Sequence, residues 1–275
     1  MTTERRTDSR MPAGEARTAG FVAVGECAAP RVYAFPQAGA GCAQLVELAR
    51  RSAPNLEVWG ATLPGRQALL HLPPLRDLDE LVGLLATALA DAVSERPGEP
   101  YLLFGYCGGA LQAFLVARLL RELGVAPPAG LVVASFEAPD IARRPRGVAD
   151  LPSELLWAEL RAQGGIRADL DDTPKLRELT EPAVRADFVM IADYRHRPDL
   201  PLDVPITVCS GELDTVHRGA LLGWRRQTTA GVRLRYLPGS HWLLDECVGQ
   251  LGDVLVEAAG QPVPTTHTQV SEVRP

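Results

Sequence analysis

Short β-rich runs, several of them almost uniformly apolar, alternate along the chain with segments of helical period, and this rhythm restricts the fold more than any other feature. The runs are Arg31–Phe35, Leu56–Thr62, Tyr101–Tyr106, Leu131–Phe136, Ile206–Ser210 and Arg233–Leu237. A strand that is apolar on both faces needs cover on both, which parallel sheets in α/β proteins provide. Between the runs, Leu81–Val93 and Ala110–Leu123 carry apolar residues at helical spacing, the second stopping at Gly124. The expected fold class is α/β, a mostly parallel central sheet flanked by helices. From about Asp140 to Pro198 the alternation lapses, leaving helical segments at Pro152–Ala162 and Thr173–Leu179. That is too long for a bare loop, so a helical lid inserted after a strand is expected over about 140–198. Ligands in open α/β sheets sit beyond the C-terminal strand ends, where such an insertion would cover them.

The 275 residues suit one α/β domain over about 29–260, with polar, aperiodic tails at 1–28 and 261–275. An apolar fraction of 46% builds a large core without disulfides or a structural metal. With 28 basic against 34 acidic residues, no basic excess exists to neutralise phosphates, so nucleic acid is not an expected partner. Cys27, Cys42, Cys107, Cys209 and Cys247 are odd in number and show neither Cys-x-x-Cys nor zinc spacing. No metal or cofactor is expected, and the thiols should be reduced. The first twenty residues lack a signal-like apolar run, and no apolar stretch reaches the ~20 residues that span a bilayer. A cytoplasmic monomer away from membranes is the expectation.

Gly105-Tyr106-Cys107-Gly108-Gly109 lies between an apolar run and a helical segment. Gly-x-nucleophile-x-Gly makes a sharp strand-to-helix turn that lifts the central side chain above the sheet. A helix N-terminus aimed at that side chain favours a thiolate and an oxyanion. Taken alone, the five residues fit a buried structural cysteine in a glycine-rich turn about as well. The flanking elements and the residues downstream favour the nucleophile. Asp214 follows the run ITVCS and His241 follows RLRYLP, so both fall on loops at strand C-termini, in the order nucleophile, acid, histidine. Asp140, beyond the run LVVASFEAP, is a rival acid, but it lies where the chain already leaves for the insertion. His71, His196, His217 and His267 have no such placement and read as surface or lid residues. An oxyanion hole needs two backbone N–H donors. Gly108 offers one, and Ala38, in the loop after the first run, the other.

These residues resemble the type II thioesterases of polyketide and nonribosomal-peptide assembly lines. Phe35-Pro36-Gln37-Ala38-Gly39 is similar to the family's Phe-Pro-His-Ala-Gly, and Leu63-Pro64-Gly65-Arg66 matches its Leu-Pro-Gly-Arg. The stretches ELLWAELRAQGG (154–165) and RADFVMIADYR (185–195), with Trp224, Thr228 and Pro238-Gly239-Ser240-His241, extend the likeness over most of residues 31 to 245. The resemblance implies an α/β-hydrolase fold and a phosphopantetheine-linked substrate on an acyl or peptidyl carrier protein. Three positions depart from the family: Cys107 replaces serine, Tyr106 the histidine before it, and Gln37 another histidine. They bring the chain nearer to thioesterase-like Dieckmann cyclases, which use Cys, Asp and His to release tetramates or pyridones. Gln37, Tyr106 and Trp242 are then candidates for the substrate pocket. An editing thioesterase, a lactone- or lactam-forming enzyme and a non-catalytic carrier-docking module are the alternatives, the last having no need of Asp214 and His241. The basic run Arg143-Arg144-Pro145-Arg146 is either a solvated loop, the commoner fate of such runs, or a contact for an acidic carrier.

Overall fold

A computed structural model describes residues 19–25, 30–145, 147–163 and 173–260. Seven strands form one sheet: β1 (Gly20–Ala23), β2 (Arg31–Phe35), β3 (Glu57–Thr62), β4 (Tyr101–Tyr106), β5 (Gly130–Ala134), β6 (Ile206–Gly211) and β7 (Val232–Leu237). Their spatial order is β1-β3-β2-β4-β5-β6-β7, with β1 antiparallel to β3 and every other pair parallel. This is the mostly parallel α/β-hydrolase architecture expected. β1 lies in the stretch read as a tail. Its four residues, GFVA, are too few to show a period, and they join the sheet only as an edge strand against Trp59–Thr62. Residues 1–18, the remainder of that tail at 26–28, and 261–275 are outside the described residues.

Side-chain alternation along each strand builds two cores. Tyr33, Phe35, Leu103, Val133 and Val208 point to one face, covered by α2 (Leu78–Ser94) and α3 (Gly108–Glu122). Val32, Ala34, Phe104, Val132 and Cys209 point to the other, covered by α1 (Val46–Ser52) and the C-terminal helix Val248–Ala258. Asp77 starts α2 by accepting the N–H groups of Asp79 and Glu80, a cap the periodicity did not reveal.

Between β5 and β6 lie α4 (Ser153–Ala162) and α5 (Pro174–Asp193). Helix α5 runs far past the expected end at Leu179, straight through Pro182. A proline in a helix interior removes one N–H and crowds the preceding turn. Tertiary bonds hold the helix across it: Arg185 donates to the carbonyls of Ala149 and Leu151, and Trp157 Nε1 donates to Glu181 at 2.7 Å. Leu156, Trp157, Leu160 and Val184 form a small core of their own. After β6 come α6 (Arg218–Leu222), α7 (Leu243–Glu246) and α8 (Val248–Ala258). Among the described residues no helix is long and apolar enough to cross a membrane.

Candidate active site

The parallel register brings five strand ends together. Phe35 pairs with Gly105, Tyr106 with Ala134, Ala134 with Cys209, and Gly211 with Leu237. The loops that follow β2, β4, β5, β6 and β7 therefore share one edge of the sheet, and each contributes to the site.

Cys107 sits between β4 and α3 with φ 50° and ψ −124°, a conformation that costs a non-glycine residue about 1–3 kcal/mol and persists only where the surroundings impose it. Its own N–H donates to the Ala134 carbonyl at 2.8 Å, and its carbonyl accepts from Ala110 at 2.9 Å. The glycines around it are sterically required. A Cβ on Gly105 would stand 2.4 Å from Ala110 Cα, and one on Gly109 would stand 2.2 Å from the Phe35 carbonyl oxygen.

His241 lies beside Cys107, and its Nδ1 meets Asp214 Oδ1 at 3.2 Å. The Asp214 side chain is wholly buried and also accepts the Val216 N–H at 3.1 Å. Burial works against a charged imidazole here, but hydrogen bonding with Asp214 and Cys107 outweighs it and holds the His241 pKa up at about 10. Burial likewise opposes the Asp214 carboxylate, yet its bond to His241 leaves its pKa below the ordinary value. Two hydroxyls fix the histidine's backbone: Tyr106 and Ser135 donate to the His241 carbonyl at 2.7 and 3.0 Å. Ser135, itself at φ 53°, was not singled out from the sequence, where a serine after a strand carries no distinguishing signal.

Tyr106, taken as a pocket candidate, has no accessible surface and so is no pocket wall. Its ring packs in the core and its hydroxyl anchors the histidine loop. Gln37 is half-buried, its side-chain oxygen held by Gln44 at 2.8 Å. Trp242 stands edge-on to His241, ring centroids 4.9 Å apart, and donates to the Gln163 carbonyl. Asp140 pairs with Arg226 at 2.6 Å instead of with His241. His217 caps α6, and His196 bonds Tyr194, with burial lowering the pKa of its imidazole. Cys42, Cys209 and Cys247 are buried away from solvent, whereas Cys107 is half-exposed. Cys27 and His267 lie outside the described residues. Arg143 of the basic run pairs with Glu137.

A thioesterase-domain model matches residues 30–255. The chain belongs to the thioesterase family. This thioesterase is 29% identical over 224 residues to the gramicidin S biosynthesis protein GrsT of Aneurinibacillus migulanus, covering 81% of the present chain and 86% of GrsT. It superposes on RedJ, a thioesterase from the prodiginine pathway of Streptomyces coelicolor, at TM-score 0.76 and 30% identity, covering 91% of both chains. The type II thioesterase BorB from the borrelidin cluster aligns at TM-score 0.78 and 29% identity, covering 87% of this thioesterase and 97% of BorB. Among the described residues no group of His, Cys, Asp or Glu is arranged to hold a metal ion. What the strand ends assemble is a thiol, an imidazole and a buried carboxylate.

Proposed function

We propose that this thioesterase takes an acyl chain from the phosphopantetheine thioester of an acyl or peptidyl carrier protein onto Cys107, and releases it by Dieckmann ring closure to a tetramate or pyridone. The observation that carries the reading is the Cys107 sulfur, held at φ 50° at the start of α3 beside a His241 whose Nδ1 meets the buried Asp214. The names of GrsT and RedJ, both tied to biosynthetic pathways, support the assembly-line setting.

In the first step Cys107, as the thiolate of a pair with the imidazolium of His241, attacks the thioester carbonyl. The developing oxyanion is received by the N–H groups of Ala38 and Gly108, neither of which has another partner among the described residues. Collapse breaks the old C–S bond, and the departing pantetheine sulfur takes the proton from His241. One thioester has replaced another, so the acyl group stays activated. His241, now neutral, can remove the acidic α-proton of a β-ketoamide. The carbanion attacks the thioester carbonyl, closes the ring (five-membered in the tetramate case) and expels Cys107 as thiolate, restoring the pair with His241. Thiolate, from a thiol of pKa ~8.5, leaves far more readily than alkoxide, which suits a stabilised, weakly reactive carbanion. Gln37, in the loop after β2, and Trp242, edge-on to His241, are the proposed walls of this route, and the insertion between β5 and β6 serves as the lid.

Hydrolysis of the same acyl-enzyme, an editing role, is the second reading, favoured by the likeness to the type II thioesterase BorB. Products of a synthetic N-(β-ketoacyl)aminoacyl thioester, followed by mass spectrometry, separate the two. The expectation is a cyclised product from the wild type and a shift toward linear acid in Cys107→Ser. A wild type that yields only linear acid from such a substrate sinks the cyclase and leaves the editing enzyme.

A further inference from the structure

Helix α5 meets the site through one face. Val184, Asp187 and Ile191 fall at i, i+3 and i+7, positions that share a helix face. Val184 occupies the space that a Cβ on Gly39 would need, 2.4 Å away, and Ile191 does the same for Gly108 at 2.7 Å. Between them, Asp187 Oδ2 accepts the Gly39 N–H at 2.7 Å. Arg66 completes the arrangement: it donates to Asp187 Oδ2 and Oδ1 at 2.7 and 2.9 Å, and to the Ala40 carbonyl at 3.1 Å. The two side chains are only 6% and 2% exposed. Two stretches that the sequence sets 121 positions apart, Leu-Pro-Gly-Arg and the helix segment 185–195, thus close on the loop after β2.

Desolvation offsets much of the attraction in a buried ion pair, so stability alone is a weak reason for one here. Its placement is informative. Asp187 grips the peptide N–H between Ala38 and Gly39, Arg66 grips the carbonyl of Ala40, and the Ala40 N–H closes a turn onto the Gln37 carbonyl at 3.0 Å. The N–H groups of Gly39 and Ala40 and the carbonyls of Gln37 and Ala40 are committed, whereas the Ala38 N–H has no partner among the described residues. We propose that Asp187, held by Arg66, is a positioning residue that aligns the Ala38 N–H as an oxyanion donor only while α5 is seated. The proposal rests on the acyl transfer to Cys107 proposed above. It makes the seating of the insertion a condition for acylation: when α5 lifts, the Gly39 N–H loses its acceptor and the loop its fixed geometry.

Two rates on the same protein test it. Alkylation of Cys107 by iodoacetamide needs the thiol and His241 but builds no oxyanion, whereas acylation by an acyl N-acetylcysteamine thioester builds one. In Asp187→Asn, acylation followed by intact-protein mass should slow about 10- to 100-fold, short of the 10²–10³ that loss of an oxyanion donor costs, while alkylation stays within about twofold. The paired variant Arg66→Met/Asp187→Leu removes the charges together and should recover the thermal midpoint without recovering acylation. Equal slowing of both rates in Asp187→Asn, or full acylation in the apolar pair, overturns the positioning role. If wild type takes up no acyl group, the parent reading falls and this role with it. If wild type and Asp187→Asn acylate equally fast, only the positioning role falls.

Discussion

Asp140 and Asp214 leave neighbouring strands with the same carboxylate, and their surroundings separate them. Asp214 is wholly buried, spends Oδ1 on His241 and on the Val216 N–H, and leaves Oδ2 without a partner among the described residues. Asp140 is tied to the half-exposed Arg226. Asp214→Asn should cut turnover on a carrier-bound or small thioester by about 10³- to 10⁴-fold, since a carboxamide neither orients the imidazole nor stabilises its charge. Asp140→Asn should change it by no more than about twofold, as an ion pair at the surface contributes little. Steady-state kinetics on both variants checks the pair, and a reversal of the two results would move the acid to the end of β5. Tyr106 shows how a residue can be noticed for one reason and matter for another. It stands out in the sequence because it replaces a family histidine, yet it works by donating its hydroxyl to the His241 carbonyl.

The unit β4–Cys107–α3 shows why glycine spacing was readable and why contact geometry was not. Gly105 and Gly109 announce a tight turn, but only the packing shows that Gly109 lets α3 lie against the Phe35 and Pro36 carbonyls of the neighbouring strand end. Gly109→Ala should lower unfolding free energy by about 1–3 kcal/mol or more, because the atoms met are backbone and cannot turn aside. Gly83→Ala in α2, where a Cβ meets nothing within 4 Å, should instead raise it by about 0.5–1 kcal/mol through helix propensity. Chemical denaturation of the two variants reads both signs. Most strands were legible because they are apolar on both faces, and β7 because its apolar residues alternate with Arg233 and Arg235. β1 was not, since an edge strand of four residues gains its identity from its partner. In the sequence Pro182 is a local stop signal, and what carries α5 through it are bonds to residues some thirty positions earlier. The candidate site divides in the same way. Cys107, Asp214 and His241 each follow a strand closely and could be read from order alone. Ser135 carries no local signal, and Arg66 and Asp187, though each lies in a stretch shared with the family, take their roles from a contact across the fold.

For the molecule as a whole, the shifted groups tie stability to proton concentration in one direction above neutrality. His241 has its pKa raised from about 6.5 to about 10, so its contribution is complete below pH ~6.5 and lost as pH climbs through the folded value. Burial likewise pushes the thiols of Cys42 and Cys247 up to about 11 and that of Cys209 to about 12, adding a second loss that begins near their unfolded pKa of ~8.5. The thermal midpoint should therefore fall gently from pH 6.5 and more steeply above pH ~9. His241→Ala should flatten the first limb and leave the second, as scanning calorimetry across that range would record. A final consequence lies at the far side of the sheet. β7 is its last strand, and Arg233 and Arg235 point from the same side of it to Glu257 on α8. A strand arriving from another molecule would have to strip water and a counter-charge from two guanidinium groups before its first ladder bond formed. The edge repels what its open hydrogen-bonding groups would otherwise invite, and among the described residues the sheet ends there.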